Sequence, residues 1–424
     1  MPAHFGMGDR PQARLAVLSM HTSPTAALGH SANGGMNVYV NQLCGAWSRM
    51  GVATDIFTRR VGADDPSVEQ IAPLSRVVYL PSGPFETDKY GLAAHSQAFA
   101  ASIADFIRAD GREPDLIYSH YWLSGLAGFH LRGSLGLPWA HTSHTLALVK
   151  NRQLAPGAKP EPAIRIEAER LIAREADLQI VSTVAEGADL VNIYGADTSR
   201  IAVVAPGVDL ATFGPMDRAE ARAKIGYEGS RILLFVGRLE RLKGVEIILR
   251  ALAQVAARHE DVRLLVLGED SRDAVESEKT RLRAIVDNLG ISSRVDFLGP
   301  VAHHELPYFY AAAEACLMPS YSESFGLVGL EAQACGCPVI ASNVAGLASV
   351  VRDEVTGYLV GGADPATYAD RLGRLLDSPQ LSELMGRRGI LLAQRFDWNH
   401  TAARAWDALA QLLEASNTQV VSEN

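Results

Sequence analysis

The sequence predicts an α/β protein of two doubly wound, parallel-sheet domains facing each other across a cleft. Short apolar runs recur along the chain, and the residues after most of them return at helical spacing, which is the rhythm of strand–helix–strand units. Polar and glycine-containing segments fall directly after several of these runs, where ligands of such sheets bind. With 424 residues, 48% of them hydrophobic and 21% charged, the chain is long enough to bury two full cores.

A formal net charge of −9 argues against an extended nucleic-acid or acidic-membrane surface, so a phosphate site would have to be local. The four cysteines are Cys44, Cys316, Cys335 and Cys337. The Cys335-Gly336-Cys337 spacing is too tight for a zinc knuckle, and its apolar setting suggests reduced, buried thiols and hence a cytoplasmic protein. No stretch reaches the roughly 18 apolar residues of a membrane span, and residues 1–13 read as a disordered polar tail without an export signal. The first domain is expected over 14–214 and the second over 215–395, with 396–424 a helix packing back and a frayed tail.

In the first domain, Arg14 to Met20 is an apolar run suited to a leading parallel strand. After the loop His21-Thr22-Ser23-Pro24, a helix is expected from Asn33-Gly34-Gly35 to about Met50, and the glycine pair permits close backbone approach by a ligand. Strands are expected at Ala53–Phe57, Val77–Leu80, Leu116–Ser119, Trp139–Thr142, Leu178–Ser182 and Ile201–Val204, with helices from about His95 to Ala109 and from Arg165. Two strand ends are rich in polar groups: His120-Tyr121-Trp122-Leu123-Ser124-Gly125 and His141-Thr142-Ser143-His144-Thr145. Residues 215–230 read as a polar crossing between domains.

The second domain opens on the strand Arg231–Val236, followed by Gly237-Arg238-Leu239-Glu240-Arg241-Leu242-Lys243-Gly244 and a helix from Val245 to about Arg258. Further strands are expected at Val262–Leu267, Val295–Leu298, Ala315–Met318 and Val339–Ser342. A last amphipathic helix spans Asp397 to Leu413, and Glu414 to Asn424 read as its frayed end.

The chemistry concentrates in 319–331. A strand, the turn Pro319-Ser320-Tyr321-Ser322-Glu323-Ser324 and a helix starting near Phe325-Gly326-Leu327 leave unpaired amides at an electropositive helix end, which suits a phosphate or diphosphate. Glu323 lies in the turn, where it can accept hydrogen bonds from sugar hydroxyls, and Glu331 lies two turns on, on a face that can reach a ribose. Arg238 and Lys243, at a strand end and a helix start, can face one anion and stabilise charge on a leaving diphosphate. His144, and likewise His120 and His21, can hydrogen-bond a sugar or remain satisfied in the core. No paired aspartates suit a catalytic divalent metal, so the cations are expected to neutralise charge without a required cofactor.

Together with Gly34-Gly35-Met36-Asn37-Val38-Tyr39-Val40, Ser19 to Pro24, the two polar strand ends, Phe235-Val236-Gly237-Arg238-Leu239, Lys243-Gly244 and Glu323 to Val328 with Glu331-Ala332, the sequence resembles the D-inositol-3-phosphate glycosyltransferases of mycothiol biosynthesis. These belong to the retaining nucleotide-sugar transferases of GT-B architecture, with two Rossmann-like domains. The similarity covers roughly residues 14 to 410. It implies transfer of N-acetylglucosamine from UDP-N-acetylglucosamine to 1D-myo-inositol 3-phosphate with retention.

Residue by residue, the resemblance implies that Lys89, Tyr121, Thr145 and Arg165 hold the acceptor phosphate, joined by Asn37. His21, Gly35, Arg238, Lys243, Val301, Glu323, Phe325, Gly326, Leu327 and Glu331 would line the donor site, and His144 would touch the transferred sugar. Arg238, Lys243, Glu323 and His144 would form the catalytic group. The resemblance also allows a homodimer and a magnesium ion. Ala32 and Asn33 stand where an Asp-Ser pair is common, Cys337 replaces a threonine, and the Asp88-Lys89-Tyr90 context is unusual. A sucrose-phosphate synthase-like or lipid mannosyltransferase activity is the competing reading within the superfamily, and a non-catalytic nucleotide-sugar-binding protein is the alternative outside it. An oxidoreductase is disfavoured because no G-x-G-x-x-G follows the first strand.

Overall fold

The computed structural model describes residues 11–25, 34–62, 64–270 and 277–422, with side chains as far as residue 418. The tail 1–10 and the Ala32-Asn33 pair lie outside the described residues. Two sheets organise the chain. The first contains β1 (Ala13–Leu18), β2 (Val52–Arg59), β3 (Val68–Ala72), β4 (Ser75–Leu80), β5 (Leu116–His120), β6 (Trp139–Thr142), β7 (Leu178–Val181) and β8 (Ile201–Val203). Their order is β3-β4-β2-β1-β5-β6-β7-β8. All neighbours run parallel except β3, which lies antiparallel on β4.

The second sheet contains β9 (Arg231–Val236), β10 (Val262–Leu267), β11 (Val295–Gly299), β12 (Ala313–Met318), β13 (Val339–Ser342) and β14 (Gly357–Val360), wholly parallel in the order β11-β10-β9-β12-β13-β14. Helices cover both faces of such sheets, so their strands read as continuous apolar runs rather than alternating ones. Leu15, Val17, Leu233, Leu234, Leu264 and Leu265 are accordingly all buried. In each sheet the chain reverses its winding beside the first strand, between β1 and β5 and between β9 and β12. These are the topological switch points, where a doubly wound sheet opens a crevice at its carboxyl edge.

Three local expectations change. β3 and β14 are additional strands: Val68-Glu69-Gln70-Ile71-Ala72 is mixed in polarity because it lies at the sheet edge, and Gly357-Tyr358-Leu359-Val360 is short and begins on glycine. The 215–230 crossing contains the helix Arg218–Ile225, whose cap Asp217 accepts from the Ala219 and Glu220 amides. Only Ala221 is buried there, so no apolar stripe marks it and the capping carboxylate is its signal. The C-terminal helix runs Trp398–Ser422, past the expected Leu413. It returns to the first domain, where Trp398, Ala402, Ala405 and Leu409 join the core beside Tyr39, Val40 and Leu43. Trp47 Nε1 donates to the Ala402 carbonyl at 2.9 Å, fixing that docking. All four cysteines are free and buried.

Candidate active site

The carboxyl ends of β1, β5 and β6 present one polar group. His21 follows β1, Tyr121 begins the helix Tyr121–Leu135 directly after β5, and His144 and Thr145 follow β6. The described residues include three non-glycine positions at positive φ, and two are here, Tyr121 at 73° and His144 at 59°. Such backbone costs about 1–3 kcal/mol per residue and persists where the surroundings impose it, typically at binding sites.

Arg165 is the anchor. Its side chain is 1% exposed, with Nε 2.6 Å from Glu169 and a terminal nitrogen 3.1 Å from Glu161. The other terminal nitrogen donates to the Thr145 carbonyl at 3.1 Å and hydroxyl at 2.8 Å, and the guanidinium lies 5.0 Å from the Tyr121 ring centre. Glu161 also takes the Lys150 ammonium and the Tyr90 hydroxyl, the latter at 2.9 Å. Burial pushes the Glu161 carboxyl up, but Arg165 and Lys150 outweigh it and hold it at about 2. Lys89 sits 4.9 Å from the Tyr90 ring centre and adds to the field on Glu161. The structure therefore brings Lys89, Tyr121, Thr145 and Arg165 into one neighbourhood.

Asn37 is buried and donates to the Thr22 hydroxyl at 2.8 Å, joining the first turn of Gly35–Arg49 to the loop after β1. His21 packs tilted against Tyr121 with ring centres 4.5 Å apart, and its buried Nδ1 has no hydrogen-bond partner among the described residues. Burial, then Lys89, His144, Arg238 and Arg165, depress its pKa to about 3, so His21 is neutral at physiological pH.

Across the cleft, Arg238 and Lys243 follow β9. Lys243 Nζ lies 2.6 Å from Glu323 in the turn after β12. The two loops are locked together: the Tyr321 amide donates to the Leu242 carbonyl at 2.8 Å, and Gly244, at φ 64°, brings its backbone so close that a Cβ would stand 2.2 Å from the Pro319 carbonyl. Arg238 is 46% exposed and 3.4 Å from Glu240. Phe325 turns its ring into the core against Phe396, and its backbone packs on Gly346, where a Cβ would stand 2.7 Å from the Phe325 nitrogen.

Gly326, at φ 100°, opens the helix Leu327–Ala334 with no side-chain cap, as Gly34 does for Gly35–Arg49. These two uncapped helix starts meet: a Cβ on Gly35 would be 3.3 Å from Leu327 Cδ1. Each start leaves unpaired amides at an electropositive end, which can attract an anion. Glu331 is buried deeper than a solvent-facing clamp, with its oxygens 2.9 Å from His303 Nε2 and 3.0 Å from the Tyr310 hydroxyl. Burial lowers the His303 pKa, but Glu331 outweighs it and the net shift is upward. Val301, two residues before His303, packs half-buried on the second core.

The halves meet in charge as well. Burial pushes the Glu240 carboxyl up, while Arg238, Lys243, Lys150 and Lys89 hold it below its ordinary value. Two of those cations come from each domain. Glu161, Lys150, Tyr90 and Glu240 do not stand out in the sequence. The four-residue spacing of Glu161, Arg165 and Glu169 is the signal pointing to the first of them; for Glu240 no local pattern records the cations Lys89 and Lys150 of the other domain. Among the described residues no group of three or more His, Cys, Asp or Glu is arranged to hold a metal ion.

Residues 34–207 match the glycosyl transferase 4-like domain and residues 217–391 the glycosyl transferases group 1 family. The D-inositol 3-phosphate glycosyltransferase of Mycobacterium sp. (strain KMS) is 48% identical over 373 residues, 87% of this chain and 83% of that protein. The enzyme of the same name from Mycobacterium tuberculosis (strain F11) is 43% identical over 421 residues, 98% of this chain and 85% of that protein. The chain belongs to the D-inositol 3-phosphate glycosyltransferase family. A solved sucrose-phosphate synthase from Thermosynechococcus elongatus is 33% identical, with a TM-score of 0.88 over 95% of this chain and 100% of that one. The GT-B architecture expected for this family is thus present, and the chain is a glycosyltransferase. No helix among the described residues is long and apolar enough to cross a membrane.

Proposed function

We propose that the protein transfers N-acetylglucosamine from UDP-N-acetylglucosamine to 1D-myo-inositol 3-phosphate with retention of configuration. The observation that carries this reading is the convergence of cations from both domains, Lys89, Lys150 and Arg165 from the first and Arg238 and Lys243 from the second, on the cleft around His21 and Glu240. Two phosphorylated substrates meeting there call for that distribution. The acceptor phosphate would lie against Lys89, Tyr121, Thr145 and Arg165, with Asn37 beside it. The donor diphosphate would lie between Arg238, Lys243 and the two facing helix starts, its sugar against Glu323 and His144 and its nucleoside towards Glu331 and Val301.

The acceptor hydroxyl attacks the anomeric carbon on the face from which the diphosphate leaves. The carbon–phosphate-oxygen bond breaks with its electron pair on the leaving oxygen, the new carbon–oxygen bond forms, and the hydroxyl proton passes to that leaving oxygen. Lys243 and Arg238 stabilise the developing charge, and domain closure excludes water. In this reading the chain's own cations carry this charge without a required cofactor, and a magnesium ion on the diphosphate is compatible with it. A homodimer fits the same reading without adding to the site.

A second reading, transfer to a hexose phosphate, is favoured by the 33% identity to sucrose-phosphate synthase, and the 48% and 43% identities to the inositol-phosphate enzymes outweigh it. UDP release from UDP-N-acetylglucosamine with inositol 3-phosphate, glucose 6-phosphate or fructose 6-phosphate, with products identified by mass spectrometry, separates them. Product with inositol phosphate alone is expected; product with a hexose phosphate alone would overturn the acceptor assignment and leave the donor clamp.

A further inference from the structure

Behind the candidate sugar-facing histidine lies a second one. His120, the last residue of β5, is 1% exposed, and its Nδ1 stands 3.0 Å from His144 Nε2. Aromatic rings fix both: Tyr118 lies 4.2 Å from His120 between ring centres, and Tyr39 lies 5.7 Å from His120 and 5.0 Å from His144. Tyr39 is itself braced by Trp398 of the returning C-terminal helix, at 5.6 Å. His144 also holds left-handed backbone at φ 59°. We infer that His120 is a positioning residue that sets His144 as a hydrogen-bond donor, with its proton on Nδ1 and aimed at the donor sugar.

Burial depresses the pKa of both rings, that of His144 to about 3, so each is a neutral imidazole with one N–H and one bare nitrogen. A 3.0 Å contact between two ring nitrogens requires that one of the rings donate.

Were His144 to donate from Nε2, the proton of His120 would sit on its own Nε2, a buried atom with no partner among the described residues. A buried, unpaired N–H is the rarer arrangement in native structures; an unshared acceptor is tolerated more often. His120 therefore donates from Nδ1, His144 accepts at Nε2, and the neutral His144 ring keeps its proton on Nδ1. The contact with His120 is the one hydrogen bond of the His144 ring among the described residues, which leaves Nδ1–H for a ligand.

His144 then acts as a donor to an oxygen of the transferred sugar and not as a base, which agrees with a mechanism in which the leaving phosphate takes the proton. This refinement rests on the proposed function for the identity of the ligand, although the tautomer itself does not.

Nitrogen-15 NMR of histidine-labelled, substrate-free protein near neutral pH reads the tautomer directly. The inference expects a protonated Nδ1 and a bare Nε2 on His144; the reverse pattern overturns it, whatever the substrate proves to be. In kinetics, His120→Phe removes the donor while filling the space, whereas His120→Asn keeps an amide donor near the Nδ1 position. His120→Phe should lower kcat/KM for the donor about tenfold, equivalent to losing one neutral hydrogen bond, with the acceptor KM unchanged, and His120→Asn should recover most of that loss.

His144→Asn, whose amide can occupy the Nδ1 position, should retain more activity than His144→Gln. Equal impairment of His120→Asn and His120→Phe would overturn the positioning role. The expected tautomer accompanied by no product from any UDP-sugar would instead remove the functional reading and leave the histidine pair as described.

Discussion

The two cationic groups of the cleft are built differently. On the first domain, Arg165 is 1% exposed and bound on every side by Glu161, Glu169 and Thr145. On the second, Arg238 is 46% exposed and meets Glu240 at 3.4 Å, and Lys243 holds one close contact with Glu323. The first group is preorganised by the protein's own carboxylates, so its geometry belongs to the fold. The second is held more loosely: Arg238 is exposed, while Lys243 is 19% exposed and, among the described ion pairs of that group, is paired with Glu323 alone. A difference of this kind suits an acceptor phosphate seated in a fixed cradle and a diphosphate whose charge changes during reaction.

The comparison is sharpest at Arg165. Arg165→Ala removes the guanidinium shared by the buried Glu161 and Glu169, leaving Glu161 with Lys150 and Tyr90 and Glu169 with the Tyr194 hydroxyl and the Ala147 amide, and should destabilise the protein by about 3 kcal/mol as well as raise the acceptor KM. Thermal denaturation together with acceptor-dependent kinetics checks both, and an unchanged acceptor KM would move the acceptor site elsewhere. Lys243→Ala should lower kcat by about 10²–10³-fold and leave stability within about 0.5 kcal/mol, as expected of a side chain outside the core. A kcat near that of the unaltered enzyme would remove Lys243 from the chemistry.

Acid should act on the first group. The Glu161 carboxyl, ordinarily at 4.5, is held at about 2 in the fold. Its contribution to stability is therefore complete above about 4.5 and is lost as pH falls towards about 2. Glu161→Gln should be less stable at neutral pH and lose less further stability across that window, as followed by denaturant unfolding at stepped pH; an unchanged acid sensitivity would contradict the ion-pair account. The smallest effect belongs to Tyr90→Phe, which deletes one hydrogen bond to Glu161 and should cost about 1 kcal/mol by the same measurement. A loss several times larger would mean that Tyr90, more than Lys150 and Arg165, holds the Glu161 carboxylate.

Much of this is legible in the sequence. The strands Trp139–Thr142, Arg231–Val236, Val262–Leu267 and Val339–Ser342 occupy the residues that their apolar runs indicate, because burial on both faces leaves an unbroken hydrophobic signature. β3 and the helix Arg218–Ile225 escaped that signature because they lie at an edge and on the surface, where a strand or helix needs few apolar residues.

For the site, Arg238, Lys243 and Glu323 stand at strand ends and are readable from spacing. Lys89, Tyr121, Thr145 and Arg165 are scattered, and only resemblance linked them; the structure supplies the contacts that join them. Glu240 was illegible because its field comes from Lys89 and Lys150 in the other domain as well as from its own, a pairing that no local pattern records. The depth of Glu331, engaged by His303 and Tyr310, was likewise invisible to a reading of its helix alone.

The division of labour between the domains is the central claim, and calorimetric titration of UDP into the unaltered, Lys89→Ala and Lys243→Ala proteins tests it most directly. The account predicts that Lys243→Ala loses UDP affinity at least tenfold, a loss of about 1.4 kcal/mol, while Lys89→Ala binds UDP as the unaltered protein does and shows its defect only in the acceptor KM. Equal loss of UDP affinity in both variants would contradict separate donor and acceptor cradles.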